Sequence, residues 1–431
     1  MVSSRWLNKS RYSVNYNSNK LVTGMRRRCV LMAAVLMPAP WSCWAEVTVA
    51  ASGSARYEHD SNVFDLQSGF PVPGTTDFTR ADSLYTYGAA VDVNYFWDRQ
   101  QLFATLTDNE FQYNHFSQLD HNEYNLDMGM NWKLLHALDG SLDVARIRSM
   151  VPFINTQNSE FALQTEQREA AKVGYEFIPD WRLEGTGIHR TFDQTFTVSP
   201  SQDLRESSGG MAVKYLGRAG LTSGLSGTYT VGDYSGPGAS FNPSYHQTTL
   251  AVTALYMPTG RSSFNGSLGY SDRKSGSDQN SASGFTGELD FESQLTGKTS
   301  LHLLLNRGIN SYVSNQGSEI DSVGALTVRW QTTYLLGVIA GYTWTERQLP
   351  GQGDNGGDRT DHLQYLSLNL DYEPLRWLSL KPYVNYQTRK SNFLGANFNA
   401  SVVGIYVTAQ WQNSRQPDLK LKQLNSPSPI H

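Results

Sequence analysis

Hydrophobic and polar residues alternate one by one through most of this chain, most plainly from Gly284 to Leu305. Phe285, Gly287, Leu289, Phe291, Ser293 and Leu295 form a mostly apolar row, while Thr286, Glu288, Asp290, Glu292 and Gln294 are all polar. After the break at residues 296–298, Leu301, Leu303 and Leu305 resume the odd-numbered apolar phase. Successive side chains of a strand point to opposite faces, so this pattern predicts a tight hairpin with one greasy and one wet face. The same alternation recurs at Tyr85, Tyr87, Ala89, Val91, Val93, Tyr95 and Trp97, whose neighbours Asp92 and Asn94 face the other way. It returns at Tyr124 to Leu134, Tyr334 to Trp344, Leu366 to Tyr372 and Val403 to Trp411.

Short polar or Gly/Pro breaks fall at residues 98–100, 137–140, 179–180, 217–220, 258–260, 296–298, 331–333 and 374–375. Longer polar segments lie between them, at 61–81, 117–121, 158–163, 198–202, 235–242, 275–282, 314–317, 347–360 and 391–397. Short turns at one end and long loops at the other describe an all-β, antiparallel, up-and-down transmembrane β-barrel. Its apolar rows meet lipid, its polar rows meet a lumen, and Trp and Tyr end many rows as an interfacial girdle. The breaks give about 18 strands, with 16 the alternative, and both termini on the periplasmic side. Two places are irregular. The phase slips around Leu142 to Phe153, where Arg146 and Arg148 follow Leu142 and Val144, which predicts a bulge. The segment opening at Trp181 alternates poorly beyond Gly185.

Composition agrees with this picture. Charged residues are 17% and aromatic residues 12% of the 431 positions, and the formal net charge is −4, which gives no sign of nucleic-acid binding. No apolar run reaches the ~18 residues of a helical span, and the mean hydropathy of −0.44 is what alternation leaves after averaging. From Met25, the basic run 26–28, the apolar core from Cys29 to Met37 and the small residues Cys43 and Ala45 read as a cleaved export signal. Residues 1–24 lie upstream of it. Both cysteines fall within the signal, so the mature chain has neither a disulfide nor a thiolate metal site. The expected organisation is therefore 1–45 extension and signal, 46–412 outer-membrane barrel, and a polar, proline-bearing periplasmic tail at 413–431.

Catalytic chemistry finds no support in the pattern, and no cofactor is expected. The nine histidines show no metal-ligand spacing along the chain. No Gly-rich loop follows a strand and opens a helix, and a Ser/His/Asp trio cannot be assembled from the linear order. What carries meaning is the inward row. With the apolar phase outside, Asp92, Asp127, Lys133, Lys214, Glu288, Asp290, Glu292, Arg329, Asp371 and Glu373 face the lumen as candidates for a substrate path. Lys172, Asn125, Asn131, Asn369, Asn385, Tyr365 and Gln387 join them. The plain reading is the hydrated wall that any wide barrel needs. The sharper one is a sugar path, with hydrogen bonds from Asn, Gln, Asp and Glu and stacking on Tyr or Trp.

At the first outer loop the run Tyr57-Glu58-His59-Asp60-Ser61-Asn62-Val63-Phe64-Asp65-Leu66 resembles the Y-x-x-D-S-N-[VI]-F signature of EpsL-type outer-membrane proteins. Those proteins are encoded with exosortase-linked exopolysaccharide operons. The resemblance implies a barrel in the bacterial outer membrane that serves as a channel or export component for an exopolysaccharide. Outer-membrane lipid and periplasmic or inner-membrane synthesis proteins would be its partners. Asp60 and Asn62 are expected to order the loop through side-chain-to-backbone bonds. Loop 61–81, the longest, is the candidate for an inward constriction. The other functions compatible with the pattern are a structural barrel anchoring a synthesis complex and an uptake porin for small solutes.

Overall fold

The computed structural model describes residues 45–413 apart from the short segments 73–75, 77, 156–159, 197–201, 219, 236–243, 276–280 and 314–316. The expected signal before Ala45 and the tail after Asn413 lie outside the described residues. Eighteen strands follow one another: β1 (Ala45–Asp60), β2 (Asp82–Trp97), β3 (Gln100–Tyr113), β4 (His121–Lys133), β5 (Leu138–Met150) and β6 (Ala162–Ile178). Next come β7 (Trp181–Phe196), β8 (Gln202–Leu216), β9 (Leu221–Ser235), β10 (Ser244–Thr259), β11 (Ser262–Ser275) and β12 (Ala282–Gln294). The last six are β13 (Thr299–Tyr312), β14 (Gly317–Gln331), β15 (Leu336–Leu349), β16 (Arg359–Leu375), β17 (Leu378–Ser391) and β18 (Phe398–Gln412). Each pairs antiparallel with its neighbours in sequence, and β1 pairs with both β2 and β18, so the sheet closes. The alternative of sixteen strands is set aside.

Closure removes the open sheet edge, so no strand presents an unpaired row of backbone donors and acceptors to hydrocarbon. The outer surface fits the same setting. Leu225 of β9, Leu250 of β10, Leu268 of β11 and Phe285 of β12 stand 65–72% exposed on adjoining strands. In water an apolar belt of this extent would associate with anything apolar, whereas in a bilayer it is the solvated surface. Trp181, Trp330, Trp377 and Trp411, all exposed, sit at the short-turn ends, where the indole ring suits the lipid–water boundary. Among the described residues no helix is long and apolar enough to cross a membrane, so the strands do the crossing. The chain is an outer-membrane β-barrel.

Several turns lie a few residues from where the breaks suggested. Residues 134–137, not 137–140, join β4 to β5, and Gly140 lies inside β5. A side chain at 140 would collide with the Trp132 ring, so this glycine makes room for a girdle tryptophan rather than for a turn. The turn expected at 374–375 forms at 376–377. The register shifts just before it, between Tyr372 and Leu375, and Pro374 in that interval has no N–H to give the ladder.

The bulge expected around Leu142 to Phe153 does not occur. β5 pairs in unbroken register with β4 from Lys133↔Asp139 to Tyr124↔Arg148, and with β6 from Leu138↔Tyr175 to Met150↔Leu163. Leu142, Val144 and Arg146 are all exposed on one outward row, and Arg148 continues it. The row turns basic because the strand runs on past the hydrocarbon towards the outer interface, where a charge costs little. The strand opening at Trp181 pairs in unbroken register with β8, and with β6 apart from one shift between Glu176 and Ile178 beside its opening turn. Its weak pattern comes from Gly185 and Gly187, which occupy outward positions without contributing an apolar side chain.

Candidate functional site in the barrel lumen

Side chains that bond across non-adjacent strands can only meet inside a closed barrel, and these identify the inner face. Tyr383 of β17 donates its hydroxyl to Glu58 of β1, passing over β18 at Gly404, where any Cβ would strike the tyrosine ring. By that phase the candidates named from sequence do occupy inward rows, spread round the circumference rather than gathered at one point. Asp92 accepts from Thr105 Oγ1 at 2.7 Å and from Asn94 Nδ2 at 2.5 Å, and Gln101 and Asn131 extend the chain of amides across β2, β3 and β4. Asp127 stands opposite Thr105 on the same row, and Lys133 opposite Asp139 near the periplasmic rim. Glu373, in β16, lies at that rim as well, with its N–H donating to the carbonyl of Leu335.

The other cationic candidates are paired. Arg329 meets Asp371 at 3.0 Å, and Lys381 approaches the same carboxylate at 3.9 Å. Lys214 is bound to Glu184 at 2.9 Å. Glu184 is buried and also faces Arg182 at 3.0 Å and Lys172 at 3.5 Å, while Arg182 forks onto Asp139 at 2.6 and 2.7 Å. This ladder binds β5, β6, β7 and β8 together on the inner wall. Asp139, Arg182 and Glu184 were not singled out in the sequence, although Arg182 and Glu184 do share the inward phase of β7. On β12, Glu288 accepts from Asn306 Nδ2 at 3.2 Å, and Asp290 meets His302 Nε2 at 3.1 Å with Glu292 alongside.

The outer mouth is built differently, from apolar packing. Val63, Phe64 and Val72 of the first loop are buried against Leu84, Phe111 and Tyr113 on the inward rows of β2 and β3. Met150 at the end of β5, with Phe116, Leu119, Phe153 and Phe161 from the next two outer connections, completes the cluster. Phe64 packs edge-on to Phe116 at 4.8 Å and against Phe153 at 5.1 Å. The residues of the Tyr57–Leu66 run are mostly its frame. Asp60 accepts from the N–H of Asn62 at 2.8 Å; Asn62 donates to the carbonyls of Leu66 and Asn399 and accepts from the N–H of Leu66. Ser61 bonds Ser401 in both directions across β1 and β18. Tyr57 instead points outward, its ring 5.2 Å from that of Tyr85.

Two further pieces enter the mouth. Residues 151–155 reach across to the wall beyond β1: Arg347 donates to Asn155 Oδ1 at 2.6 Å and Arg389 to the carbonyl of Ile154 at 3.0 Å. Ile154 packs on Phe398 and Ala400, and Arg347 is held in turn by Asp321 at 3.1 Å and Glu319 at 3.4 Å. From elsewhere on the ring, Val313, just past the end of β13, leans in over β12. Val313 packs with Leu204, Tyr234 and Tyr245; Tyr234 donates to the carbonyl of Gly317 at 2.8 Å; and Arg273 donates to Ser311 at 3.0 Å while lying 3.4 Å over the Tyr245 ring. Linear sequence carries no signal for these links, because even the hydrogen-bonded partners are separated by up to 235 positions.

No protein-family model matches the chain, and no curated protein matches it in sequence. Solved structures similar to it include the outer membrane protein OpdK from Pseudomonas aeruginosa, at 10% identity and a TM-score of 0.46, covering 84% of this chain and 99% of that one. OccK2 (OpdF) of the same organism is similar at 10% identity and a TM-score of 0.47, over 85% of this chain and 98% of that one. The siderophore receptor PirA, also from Pseudomonas aeruginosa, gives 9% identity and a TM-score of 0.44 over 84% and 80%. The fold assigned above rests on the strand pairing of the chain itself.

Proposed function

We propose that the chain is a passive outer-membrane channel for small hydrophilic solutes, with selection made at its narrowed outer mouth. The observation supporting this is the reach of residues 151–155 across the mouth, tied by Arg347 to Asn155 and by Arg389 to Ile154, above a wall of charged and amide side chains. Solutes shed part of their water against that wall and regain hydrogen bonds from Asp92, Asp127, Lys133, Lys214, Glu288, Asp290, Glu292, Arg329, Asp371 and Glu373. Neither a nucleophile nor a cofactor takes part. Refolded mature protein in liposomes is expected to admit small sugars and exclude larger oligosaccharides in a swelling assay. A protein that gives neither swelling nor conductance in planar bilayers would overturn the reading.

Exopolysaccharide export is the second reading, supported by the resemblance of residues 57–66 to the EpsL-type signature. In it the same lumen guides a sugar polymer outwards, and periplasmic or inner-membrane synthesis proteins deliver the chain. A strain lacking this protein that still secretes normal polysaccharide eliminates this second reading and leaves the first untouched.

A further inference from the structure

On the inner face of the β12–β13 hairpin, away from the mouth, three side chains of metal-binding type converge. Asp290 and Glu292 are two apart on β12, so both point inward, and His302 of β13 stands directly opposite Glu292 in the ladder. One donor atom from each of Asp290, Glu292 and His302 lies within 4.8 Å of the other two, and His302 Nε2 is 3.1 Å from Asp290 Oδ1. Paired strands fix these positions, so assembling the donors requires no loop to close. Glu288 continues the acidic row one inward position further on, and Asn265 and Ser263 of β11 stand opposite Asp290 and Glu292. The local charge before any ion arrives is therefore strongly negative.

The donor set narrows the ion. Calcium and magnesium prefer shells made wholly of oxygen, whereas an imidazole nitrogen beside carboxylates suits zinc and its first-row neighbours. Three protein ligands leave at least one position for water or for a passing solute. We propose that Asp290, Glu292 and His302 form a lumenal binding site for a divalent first-row transition metal ion, with Zn2+ as the probe. Held there, the ion offsets the acidic row and lowers the attraction of that wall for other cations.

Calorimetric titration of tag-free, refolded mature protein with Zn2+ tests this, with Co2+ absorption as a second readout of the ligand field. The expected result is one saturable site per barrel, weakened about tenfold or more in each of His302→Ala, Asp290→Asn and Glu292→Gln. Binding should be unchanged in His362→Ala, whose partner Glu346 lies 3.9 Å away on the outward face. The two carboxamide variants keep the shape of the side chains, so the barrel persists and the comparison stands. No saturable binding, or binding of equal strength in all three variants, overturns the site and marks the His302–Asp290 contact as an ordinary hydrogen bond. Neither result bears on whether the barrel conducts.

Discussion

Asn62 shows how much one amide can organise. Its side chain makes three hydrogen bonds to main-chain groups, two to Leu66 and one to Asn399, and so fixes both the first loop and the seam where β1 meets β18. Asn62→Ala leaves those groups without their partner, at about 1–3 kcal/mol. The expected outcome is faster proteolysis within loop 61–81 and a lower urea midpoint in lipid vesicles, while a variant as resistant as the parent argues against the loop's dependence on this residue. Glu184 is the corresponding hub on the inner wall, with Arg182, Lys172 and Lys214 around it. Glu184→Gln removes the anion shared by Lys172 and Lys214 and leaves Arg182 to Asp139, so the unfolding free energy should fall by about 1.5–3 kcal/mol. High salt should recover part of the loss by screening the exposed lysine, and a salt-independent loss would show packing rather than charge at fault.

At the scale of the element, β5 and the mouth segments behave in opposite ways. β5 is a plain strand whose outward row passes from Leu142 and Val144 to Arg146 and Arg148. Val144→Arg puts a charge against hydrocarbon and should destabilise by about 2 kcal/mol or more, while Arg146→Val should change little. Equal effects in the two variants, measured by urea titration in vesicles, would place both residues at the same depth and contradict the row as drawn. Residues 151–155 are held by distant arginines as well as by the packing of Phe153 and Ile154. Arg347→Ala removes the bond to Asn155 and also leaves Asp321 and Glu319 without their cation. Single-channel conductance is then expected to rise as the mouth loosens, and an unchanged conductance would mean that the segment does not limit flow.

Taken whole, the molecule keeps its apolar side chains outside and most of its charges within, the inverse of a soluble protein. The purified protein should therefore need detergent or lipid, migrate differently on gels before and after heating, and show β-type circular dichroism. A monomer that stays soluble without amphiphile contradicts the assignment at its root. The buried apolar cluster of the mouth is the exception. Val63, Phe64, Val72 and Phe153 pack there as in an ordinary core, which holds the loops in place over the polar inner wall.

The sequence by itself determined the antiparallel barrel, its outward and inward rows and the division into short turns and long loops. Each of these depends on local alternation, and a period of two is written directly into neighbouring residues. Where glycine replaced an apolar residue, as at Gly185 and Gly187, or an arginine continued an apolar row, as at Arg146, that signal weakened although the strand did not. Only the tertiary structure decided which charges pair, which histidine meets which carboxylate, and which loops enter the mouth. Those facts depend on register around a closed ring and on contacts between residues far apart in sequence, and no periodicity along the chain encodes either.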